Sequence, residues 1–361
     1  MNRKWNVAIV GATGMVGQRF ITLLSNHPWF EIKVLAASAK SAGKTYEEAV
    51  EGRWAFDWQI PEKVRSMVVM NAADADKVTK EVDFVFCAVD MPKDQIRALE
   101  EAYAKCETPV VSNNSANRGT PDVPMIVPEL NPQHADVIEY QRKRLGTKVG
   151  FITVKPNCSI QSYVPALTAL LPYKPQKIVV STYQAISGAG KTFKRWPEMI
   201  DNVIPYIGGE EEKSEQEPLK IWGTVQNGVI VPAKNPVISA HCVRVAVADG
   251  HLATVWATFG EKATREEIIS AWRSFEGEPQ KLKLPSAPTP FMQYFEENDR
   301  PQTRLDRDFG NGMGISLGRL RGDSLFDWRF VGLSHNTLRG AAGGAVLIAE
   351  LLCAKGYIPQ K

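Results

Sequence analysis

The sequence has few cysteines, little net charge and no long apolar run, and each absence excludes a class of protein. Its five cysteines are an odd number without CxxC spacing, which argues against both a disulfide framework and a zinc site. The 43 Lys and Arg residues nearly balance the 40 Asp and Glu residues, so a net charge of +3 provides no field for nucleic acid or a membrane surface. The N-terminal residues show no apolar pattern typical of a signal peptide, and no apolar run of about 18 residues occurs, so neither a signal peptide nor a membrane-spanning helix is expected. We therefore expect a cytoplasmic protein whose partners are small molecules.

The composition is that of a folded protein. Apolar side chains make up 44% of the 361 residues and charged side chains 23%, which excludes a disordered chain. At about 100 to 200 residues per domain, this length predicts two domains. Each is large enough to fold without disulfides or a structural metal.

The first half of the chain alternates short apolar runs with helical patterns. Residues 6–10 form an apolar run that ends at Gly11, and helical spacing from Met15 to Ser25 follows, which indicates strand, tight turn and helix. Further strands are predicted at 32–36, 67–70, 84–89, 110–111 and 126–127, with a helix at 93–105. Continuous apolar strands that alternate with helices predict an α/β domain with a Rossmann-like parallel sheet.

Beyond about residue 156 the pattern changes. Residues 177–186, 242–248, 252–259 and 325–333 alternate apolar and polar side chains, which is typical of a mainly antiparallel sheet with one solvated face. The segment 188–223 is charged and contains three prolines, so irregular loop with short helices is predicted there. One more helix is expected between Asn336 and Lys355. The second domain is therefore predicted to be of the α+β type.

A glycine-rich turn joins the first strand to the first helix. Three glycines recur there at intervals of three residues. Small residues let the backbone approach a pyrophosphate, whose charge is favoured by free N–H groups at the helix start. The spacing is GxxGxxG instead of the GxGxxG fingerprint, and a turn without a ligand is the alternative. The predicted cofactor contacts are Gly11, Ala12, Thr13, Gly14, Met15, Val16 and Gly17.

The segment after the second strand bears on the choice between NAD and NADP. Proteins that bind NAD place an acidic residue about 20 positions beyond the glycines, where it holds the ribose 2′-hydroxyl. Residues 37–44 contain no acid; Ser38 and Ser41 supply hydroxyls, and Lys40 and Lys44 supply positive charge. These residues favour a 2′-phosphate and hence NADP(H). The alternative is that both lysines are ordinary solvated loop residues.

Cys158 is the predicted nucleophile. It lies in the segment KPNCSI, where the parallel domain ends and a helical pattern that extends to Leu171 begins. At the start of a helix the dipole lowers the pKa of a thiol. The other four cysteines lie in less suitable places: Cys87 in an apolar strand, Cys106 at a helix end, Cys242 in an alternating strand and Cys353 in the last helix. The alternative for a lone cysteine is a small buried hydrophobe.

A thiol nucleophile needs a base, and the sequence has five histidines. His27 and His134 lie beside prolines in segments that resemble surface, whereas His241, His251 and His335 lie in the second half. His251 follows a tight turn after the strand that contains Arg244. We expect both side chains to reach a common cleft, although each taken singly is more often a structural polar residue.

Motifs along the whole chain resemble the aspartate-β-semialdehyde dehydrogenases, particularly their archaeal and fungal branch. They are, in that family's order, GATGMVGQRF, SNNSANR, KPNCSIQ, STYQAISGAGK, EEEKSEQEPLKI, CVRVAVADGH and HNTLRGAAGGAVLIAELL. The resemblance implies an NADP-binding domain over residues 1–156, completed by the C-terminal helix 336–361. It also implies a catalytic and dimerisation domain over 157–335, and a homodimer or homotetramer.

The resemblance also implies roles for individual residues. Cys158 is the nucleophile, His251 the general acid/base, and Gln184 holds the acyl group. Arg244 binds the substrate α-carboxylate, for which a two-pronged guanidinium is suited. Glu210 faces the substrate ammonium, although either neighbouring glutamate is an alternative, as is a solvated acidic turn. The remaining implied contacts are Lys213, Arg118 and Asn157 for phosphate, Ser187, Gly188, Ala189 and Gly190 for the nicotinamide, and Asn336 for its carboxamide.

The implied reaction is the reversible reductive dephosphorylation of L-β-aspartyl phosphate to L-aspartate-β-semialdehyde. Thiolate attack expels phosphate and leaves a thioester, which accepts hydride from NADPH. His251 returns a proton as the hemithioacetal collapses, and in reverse it removes the thiol proton. No metal is required. The reaction belongs to the biosynthesis of lysine, threonine, methionine and isoleucine.

Two other functions remain as alternatives. The first is a reductase on the same scaffold with another acyl donor, such as malonyl-CoA reductase or N-acetyl-γ-glutamyl-phosphate reductase. Asn157 and the Glu210/Lys213 pair favour aspartyl phosphate over these. The second is an NADP-binding sensor without catalysis, which leaves the joint presence of Arg118, Gln184, Arg244 and His251 unexplained.

Overall fold

The computed structural model describes residues 3–361, and a parallel sheet occupies the first part of it. The elements there are β1 Trp5–Val10, α1 Met15–Leu24, β2 Phe30–Ala37, α2 Tyr46–Ala49, α3 Glu62–Arg65, β3 Met70–Asn71, α4 Ala75–Val78, β4 Phe84–Cys87, α5 Lys93–Lys105, β5 Val110–Ser112, α6 Ile138–Leu145 and β6 Ile152–Val154. The strand order is β3-β2-β1-β4-β5-β6, and every pairing is parallel. The Rossmann-like prediction is confirmed.

One predicted strand of this sheet is wrong. Residues 126–127 lie outside the strands, and the sixth strand is formed by 152–154 instead. The side chain of Asn131 explains the difference. Its amide accepts a hydrogen bond from the Val127 N–H at 2.8 Å and donates one to the Met125 carbonyl at 2.9 Å. The Asn131 side chain therefore takes the place of a strand partner for these two backbone groups. A single bridge, between Met125 and Val154, links the segment to β6.

The rest of the chain forms a second, mixed sheet. Its elements are α7 Val164–Thr168, β7 Pro175–Gln184, β8 Val203–Ile204, α8 Glu210–Ile221, β9 Thr224–Gln226, β10 Val229–Val231, β11 Val237–Val245, β12 His251–Phe259, α9 Arg265–Arg273, α10 Glu278–Lys281, β13 Met292–Phe295, α11 Thr303–Asp306, β14 Ile315–Gly322, β15 Trp328–Ser334 and α12 Gly343–Ala354. The strand order is β13-β14-β15-β12-β7-β11-β8, while β9 and β10 form a separate hairpin. Four of the six pairings are antiparallel, as the mainly antiparallel prediction requires.

The segment 188–223 differs from its prediction because it contains α8, a helix of 12 residues. The buried side of this helix includes Glu210, Ser214, Glu217 and Ile221, at the spacing of one helical face. Most of these side chains are polar, so a search for apolar periodicity finds no helix here. Pro218 lies in the last part of the helix, where it does not prevent the earlier turns from forming.

The C-terminal helix packs on the first sheet. Residues of α12 such as Val346 and Ile348 belong to the same buried cluster as Ile9 and Phe86. A π-helical segment, Leu338–Ala342, precedes α12, so the helix predicted between 336 and 355 is only partly α-helical. In the part of the chain that the structure describes, no helix is long and apolar enough to cross a membrane.

Candidate active site

The glycine-rich turn forms one wall of a cleft at the carboxyl ends of β1, β2 and β4. Gly11 has a φ of +93°, and a Cβ there would lie 2.2 Å from the Ala88 carbonyl oxygen, so only glycine fits. The ten-residue helix α1 follows Gly14 without a side-chain cap, which leaves its first N–H groups for an anion. The cleft has a volume of about 460 Å³. Its lining includes Thr13, Gly14 and Ser38.

The other residues predicted for this turn and for the loop after β2 are not among those that line the cleft: Ala12, Met15, Val16, Gly17, Lys40, Ser41 and Lys44. Ala12 and Gly17 are buried, while Met15 and Val16 are half-buried in the first turn of α1. In the loop after β2, Lys40 and Lys44 are exposed and Ser41 is buried. Two lining residues that sequence analysis did not single out are Asn71 and Met91. The free amides and the hydroxyl of Ser38 fit a phosphorylated dinucleotide.

The structure brings together Cys158 and His251, which are 93 residues apart in the sequence. The Cys158 Sγ lies 3.4 Å from the His251 Nε2. Cys158 follows β6 and precedes the 3₁₀ turn Ser159–Ser162, whereas His251 is the first residue of β12. Within residues 151–160, every side chain except that of Cys158 is fully buried. Cys158 is therefore the one partly exposed residue of an otherwise buried segment.

A backbone hydrogen bond determines where His251 carries its proton. The Ala185 N–H donates to the His251 Nδ1 at 3.0 Å, so the neutral ring is protonated on Nε2, the nitrogen that faces Cys158. Burial, and after it the Arg244 guanidinium, lower the pKa of His251 to about 3. The ring is therefore neutral at pH 7 and points a donor at the sulfur. This arrangement favours the acid half of the predicted acid/base role.

The pKa of the Cys158 thiol differs from its sequence-based expectation. Burial, and after it the Glu210 carboxylate, raise this pKa, although three cations oppose them: Lys155, Arg118 and Arg244. The start of a helix was expected to lower it. The helix that follows is only a four-residue 3₁₀ turn, so loss of solvation outweighs its dipole. A thiolate here depends on positive charge from Lys155, Arg118 and Arg244.

Glu210, in the first turn of α8, joins several predicted site residues. Its carboxylate accepts hydrogen bonds from Asn157 at 3.0 Å, Gln184 at 3.2 Å and Lys213 at 2.8 Å. Burial alone would raise the pKa of Glu210, but Lys213 and these hydrogen bonds hold it below its ordinary value. Glu211 instead accepts from the Cys242 N–H, and Glu212 is exposed. Of the three consecutive glutamates, Glu210 is the one in this cluster.

Arg244 lies on β11 at the opposite side of the same cluster. Its Nη1 donates to the Ala185 carbonyl at 2.7 Å, which fixes the plane of the buried guanidinium. Gly188 lies against both Arg244 and His251, because a Cβ there would be 2.9 Å from the Arg244 Nη1 and 3.1 Å from the His251 Nε2. Ala185 thus holds His251 through its N–H and Arg244 through its carbonyl.

Arg118 and Lys213 line a second cavity of about 560 Å³. The Arg118 Nε donates to the Lys155 carbonyl at 3.0 Å, and its Nη1 donates to the Glu217 carboxylate at 3.0 Å. Glu217 also accepts the Asn157 N–H at 2.6 Å. Sequence analysis missed Glu217. Its position seven residues after Glu210 would have revealed it if the segment had been predicted as a helix.

The segment after β7 is tied to the C-terminal part of the chain through Asn336. The Asn336 Nδ2 donates to the Ser187 Oγ at 2.8 Å, and its Oδ1 accepts the Gly250 N–H at 2.7 Å. Ser187 lies in a 3₁₀ turn that spans Ile186–Ala189 and ends at Gly190. The predicted nicotinamide contacts are therefore adjacent to one another and to His251.

Two histidines were expected at the surface, and both expectations are wrong. His27 is buried with its Nε2 2.8 Å from a Glu350 oxygen, and His134 is buried between Asn131 and the Gly223 carbonyl. A neighbouring proline indicates a change of chain direction and does not indicate solvent exposure, so it did not predict the burial of either histidine. Among residues 3–361, no group of three His, Cys, Asp or Glu side chains is arranged to hold a metal ion.

Two family models match the chain. The semialdehyde dehydrogenase NAD binding domain matches residues 6–138, and the semialdehyde dehydrogenase dimerisation domain matches residues 165–339. Together with the two sheets, these matches define a dehydrogenase of the semialdehyde class. Its NAD-binding domain is followed by a dimerisation domain.

Individual relatives narrow this class. The aspartate-semialdehyde dehydrogenase of Methanothermobacter thermautotrophicus is 44% identical over 96% of this chain and 98% of its own. A crystal structure of aspartate semialdehyde dehydrogenase with NADP from Candida albicans has a TM-score of 0.88 at 39% identity, and covers 99% of this chain and 100% of its own. The malonyl CoA reductase (NADP) of Metallosphaera sedula is 37% identical over 100% of both chains. The chain belongs to the aspartate-semialdehyde dehydrogenase family, which confirms the resemblance to archaeal and fungal members.

Proposed function

We propose that this protein catalyses the reversible, NADP-dependent reductive dephosphorylation of L-β-aspartyl phosphate to L-aspartate-β-semialdehyde. The observation that carries the proposal is the 3.4 Å contact between the Cys158 Sγ and the His251 Nε2. This contact lies inside a cluster of charged side chains. The Candida albicans relative binds NADP, and the free amides of the glycine-rich turn in this chain fit the same cofactor.

The charges around Cys158 match the two ends of an amino acid. Arg244 supplies a buried guanidinium for the α-carboxylate, and Glu210 supplies a buried carboxylate for the α-ammonium. Asn157 and Gln184 link Glu210 to the segments that carry the nucleophile and the nicotinamide contacts. A substrate held at both ends places its β-acyl group between these charges, which is where the Cys158 sulfur lies.

The reaction divides into steps that this chain's own residues perform. The Cys158 thiolate attacks the acyl carbon, the bond to phosphate breaks, and phosphate leaves toward Arg118 and Lys213. Bound NADPH supplies the hydride that reduces the resulting thioester. The His251 Nε2–H donates to the oxygen that becomes negative in each tetrahedral stage. When the carbon–sulfur bond breaks, the aldehyde leaves and Cys158 regains its electron pair.

The fold also supports the proposed organisation. The dimerisation-domain match supports an oligomer, which we propose to be a homodimer or homotetramer. We place it in the cytoplasm, where the product enters biosynthesis of the aspartate-derived amino acids. The first sheet ends at Val154 and the second begins at Pro175, so a domain boundary at 156/157 lies between them. The π-helical segment and α12, which pack on the first sheet, complete the cofactor domain.

The second candidate is reduction of a CoA thioester, since one full-length relative is named malonyl CoA reductase. A direct comparison of substrates decides between the two. We expect aspartate semialdehyde to support phosphate-dependent reduction of NADP. With malonate semialdehyde and CoA, kcat/KM for reduction of NADP should be at least 100-fold lower. The margin follows because malonate semialdehyde has no ammonium to interact with the Glu210 carboxylate, and a hydrogen bond to a charged group contributes about 1.5–3 kcal/mol. The opposite preference would assign the chain to the second candidate.

Replacing Arg244 by lysine tests carboxylate binding. The variant keeps the positive charge but loses the fork that contacts both the Ala185 carbonyl and a carboxylate. We expect KM for aspartate semialdehyde to rise about 10- to 100-fold, which corresponds to one lost charge-assisted hydrogen bond, with a smaller change in kcat. Steady-state kinetics at saturating NADP and phosphate measure both constants. An unchanged KM would remove Arg244 from the carboxylate site.

A further inference from the structure

The chain buries two lysines whose ammonium groups have very different surroundings. Lys155 is 2% exposed and Lys220 is 7% exposed. The Lys220 Nζ donates to the carbonyls of Arg118, Thr120 and Val123 at 2.7, 2.8 and 3.0 Å. The Lys155 Nζ has no hydrogen-bond partner among residues 3–361. Burial of an ammonium without partners costs free energy, so Lys155 is present at the expense of stability.

Lys155 lies three residues before Cys158, in the connection that follows β6. It lines a small cavity with Gln161 and Arg339, and this cavity has no room for a water molecule. Its ammonium is therefore not solvated from that side. A positive charge in such surroundings acts over a longer distance than one at the surface, because little solvent screens it.

Four charged or ionisable side chains surround the Lys155 ammonium. Burial, and after it Arg118, lower the pKa of Lys155 to about 7, with a smaller effect in the same direction from Arg339. Cys158 and Glu217 act in the opposite direction. Each arginine already has a carboxylate partner, since Arg118 pairs with Glu217 at 3.0 Å and Arg339 with Glu129 at 2.7 Å. Of these three cations, only Lys155 has no carboxylate within ion-pair distance among the described residues.

His251 does not provide the counter-charge that a Cys158 thiolate needs. Its Nε2 already carries a proton, and its pKa of about 3 keeps the ring neutral at pH 7. Arg244 is committed to the Ala185 carbonyl and, in the proposed function, to the substrate carboxylate. A cation that no other group neutralises is therefore required close to the sulfur.

We propose that the Lys155 ammonium stabilises the thiolate of Cys158, and thereby sets its reactivity as both attacking and leaving group. Lys155 is a positioning residue that acts through Cys158 and does not contact substrate. The inference rests on Cys158 as the nucleophile of the proposed function. The proposal also explains why the Lys155 ammonium has no partner. A lysine that was paired with a carboxylate would be neutralised by it and would stabilise the thiolate less.

The test compares Lys155→Met with Lys220→Met in the full-length protein. Alkylation of Cys158 by iodoacetamide, followed by mass spectrometry across pH 6 to 10, reports the thiolate fraction without substrate or cofactor. Because the pKa of Lys155 is about 7, its charge is mostly present at pH 6. We expect Lys155→Met to lower the alkylation rate at pH 6 at least tenfold, equivalent to a rise of about one unit in the thiol pKa. The difference should shrink as Lys155 loses its proton, and the two rates should converge at high pH. Lys220→Met should leave this profile unchanged.

Thermal stability provides the second readout. Lys155→Met removes an uncompensated ammonium, so its Tm should equal or exceed that of the parent, whereas Lys220→Met strands three carbonyls and should lower it. Lys155→Arg retains the charge, and we expect its alkylation rate at pH 6 to stay within about threefold of the parent.

Three results would overturn the proposal. They are an unchanged alkylation profile in Lys155→Met, failure of that variant to fold, and a Lys155→Arg rate as low as that of Lys155→Met. The last would show that side-chain shape, and not charge, controls the sulfur. The proposed function fails separately, through absence of turnover by the parent protein with aspartate semialdehyde.

Discussion

Cys158→Ala should lower kcat/KM with aspartate semialdehyde by about 10⁴-fold or more, because loss of the nucleophile removes the covalent route altogether. The fold should be retained, since the Cys158 side chain is only partly buried and alanine removes a single atom. NADP binding should also be retained, because the dinucleotide cleft is lined by residues of the first sheet and its loops. Phosphate-dependent NADP reduction measures the first effect, and titration calorimetry with NADP measures the second.

Cys106 offers the matched control for this experiment. It is partly buried like Cys158, but it lies at the carboxyl end of α5, and none of the site hydrogen bonds includes it. Cys106→Ala should therefore keep at least half of the parent activity. Turnover that persists in Cys158→Ala while Cys106→Ala behaves as the parent would require a different nucleophile, and the proposed thioester route would be wrong.

The dinucleotide cleft was largely predictable because its determinants are contiguous in sequence. An apolar strand, a glycine-rich turn and an amphipathic helix occupy residues 5–24, and the structure forms β1 and α1 there. The helix at 93–105 was predicted with the bounds that α5 has. In each case local periodicity and one turn determine the element. The absence of an acid in residues 37–44 is also a local feature that can be read directly.

The electrostatic environment of Cys158 was not predictable in the same way. The thiol pKa depends on Glu210 and Arg244, which belong to α8 and β11 and approach Cys158 only when the second domain folds. The state of His251 depends on the Ala185 N–H, 66 residues away in the sequence. The buried face of α8 is mostly polar, so no apolar periodicity marks it in the sequence. Nothing in the sequence around Lys155 indicates that its ammonium is buried without a partner. Such features become visible only through tertiary contacts.

His251→Asn should lower kcat by about 10²- to 10⁴-fold, the usual contribution of a general acid or base. The asparagine Oδ1 can take the place of the imidazole Nδ1 and accept the Ala185 N–H, so the local fold is preserved. The donor that faces the Cys158 sulfur is lost, however. His251→Gln is the complementary variant, since its amide N–H reaches the Nε2 position but leaves the Ala185 N–H without an acceptor. It should lose less kcat and more thermal stability than His251→Asn.

The pH dependence of kcat separates a neutral His251 donor from an imidazolium. With a pKa of about 3, His251 stays neutral throughout pH 5 to 8, so no change in kcat over that range should arise from its ionisation. Both variants should then show the same pH dependence as the parent there, at a lower kcat. If the parent shows a step near pH 6.5 that disappears in both variants, His251 titrates with an ordinary pKa during turnover. In that case substrate binding must restore the positive charge of the ring, and its role would extend from donating a hydrogen bond to accepting the thiol proton.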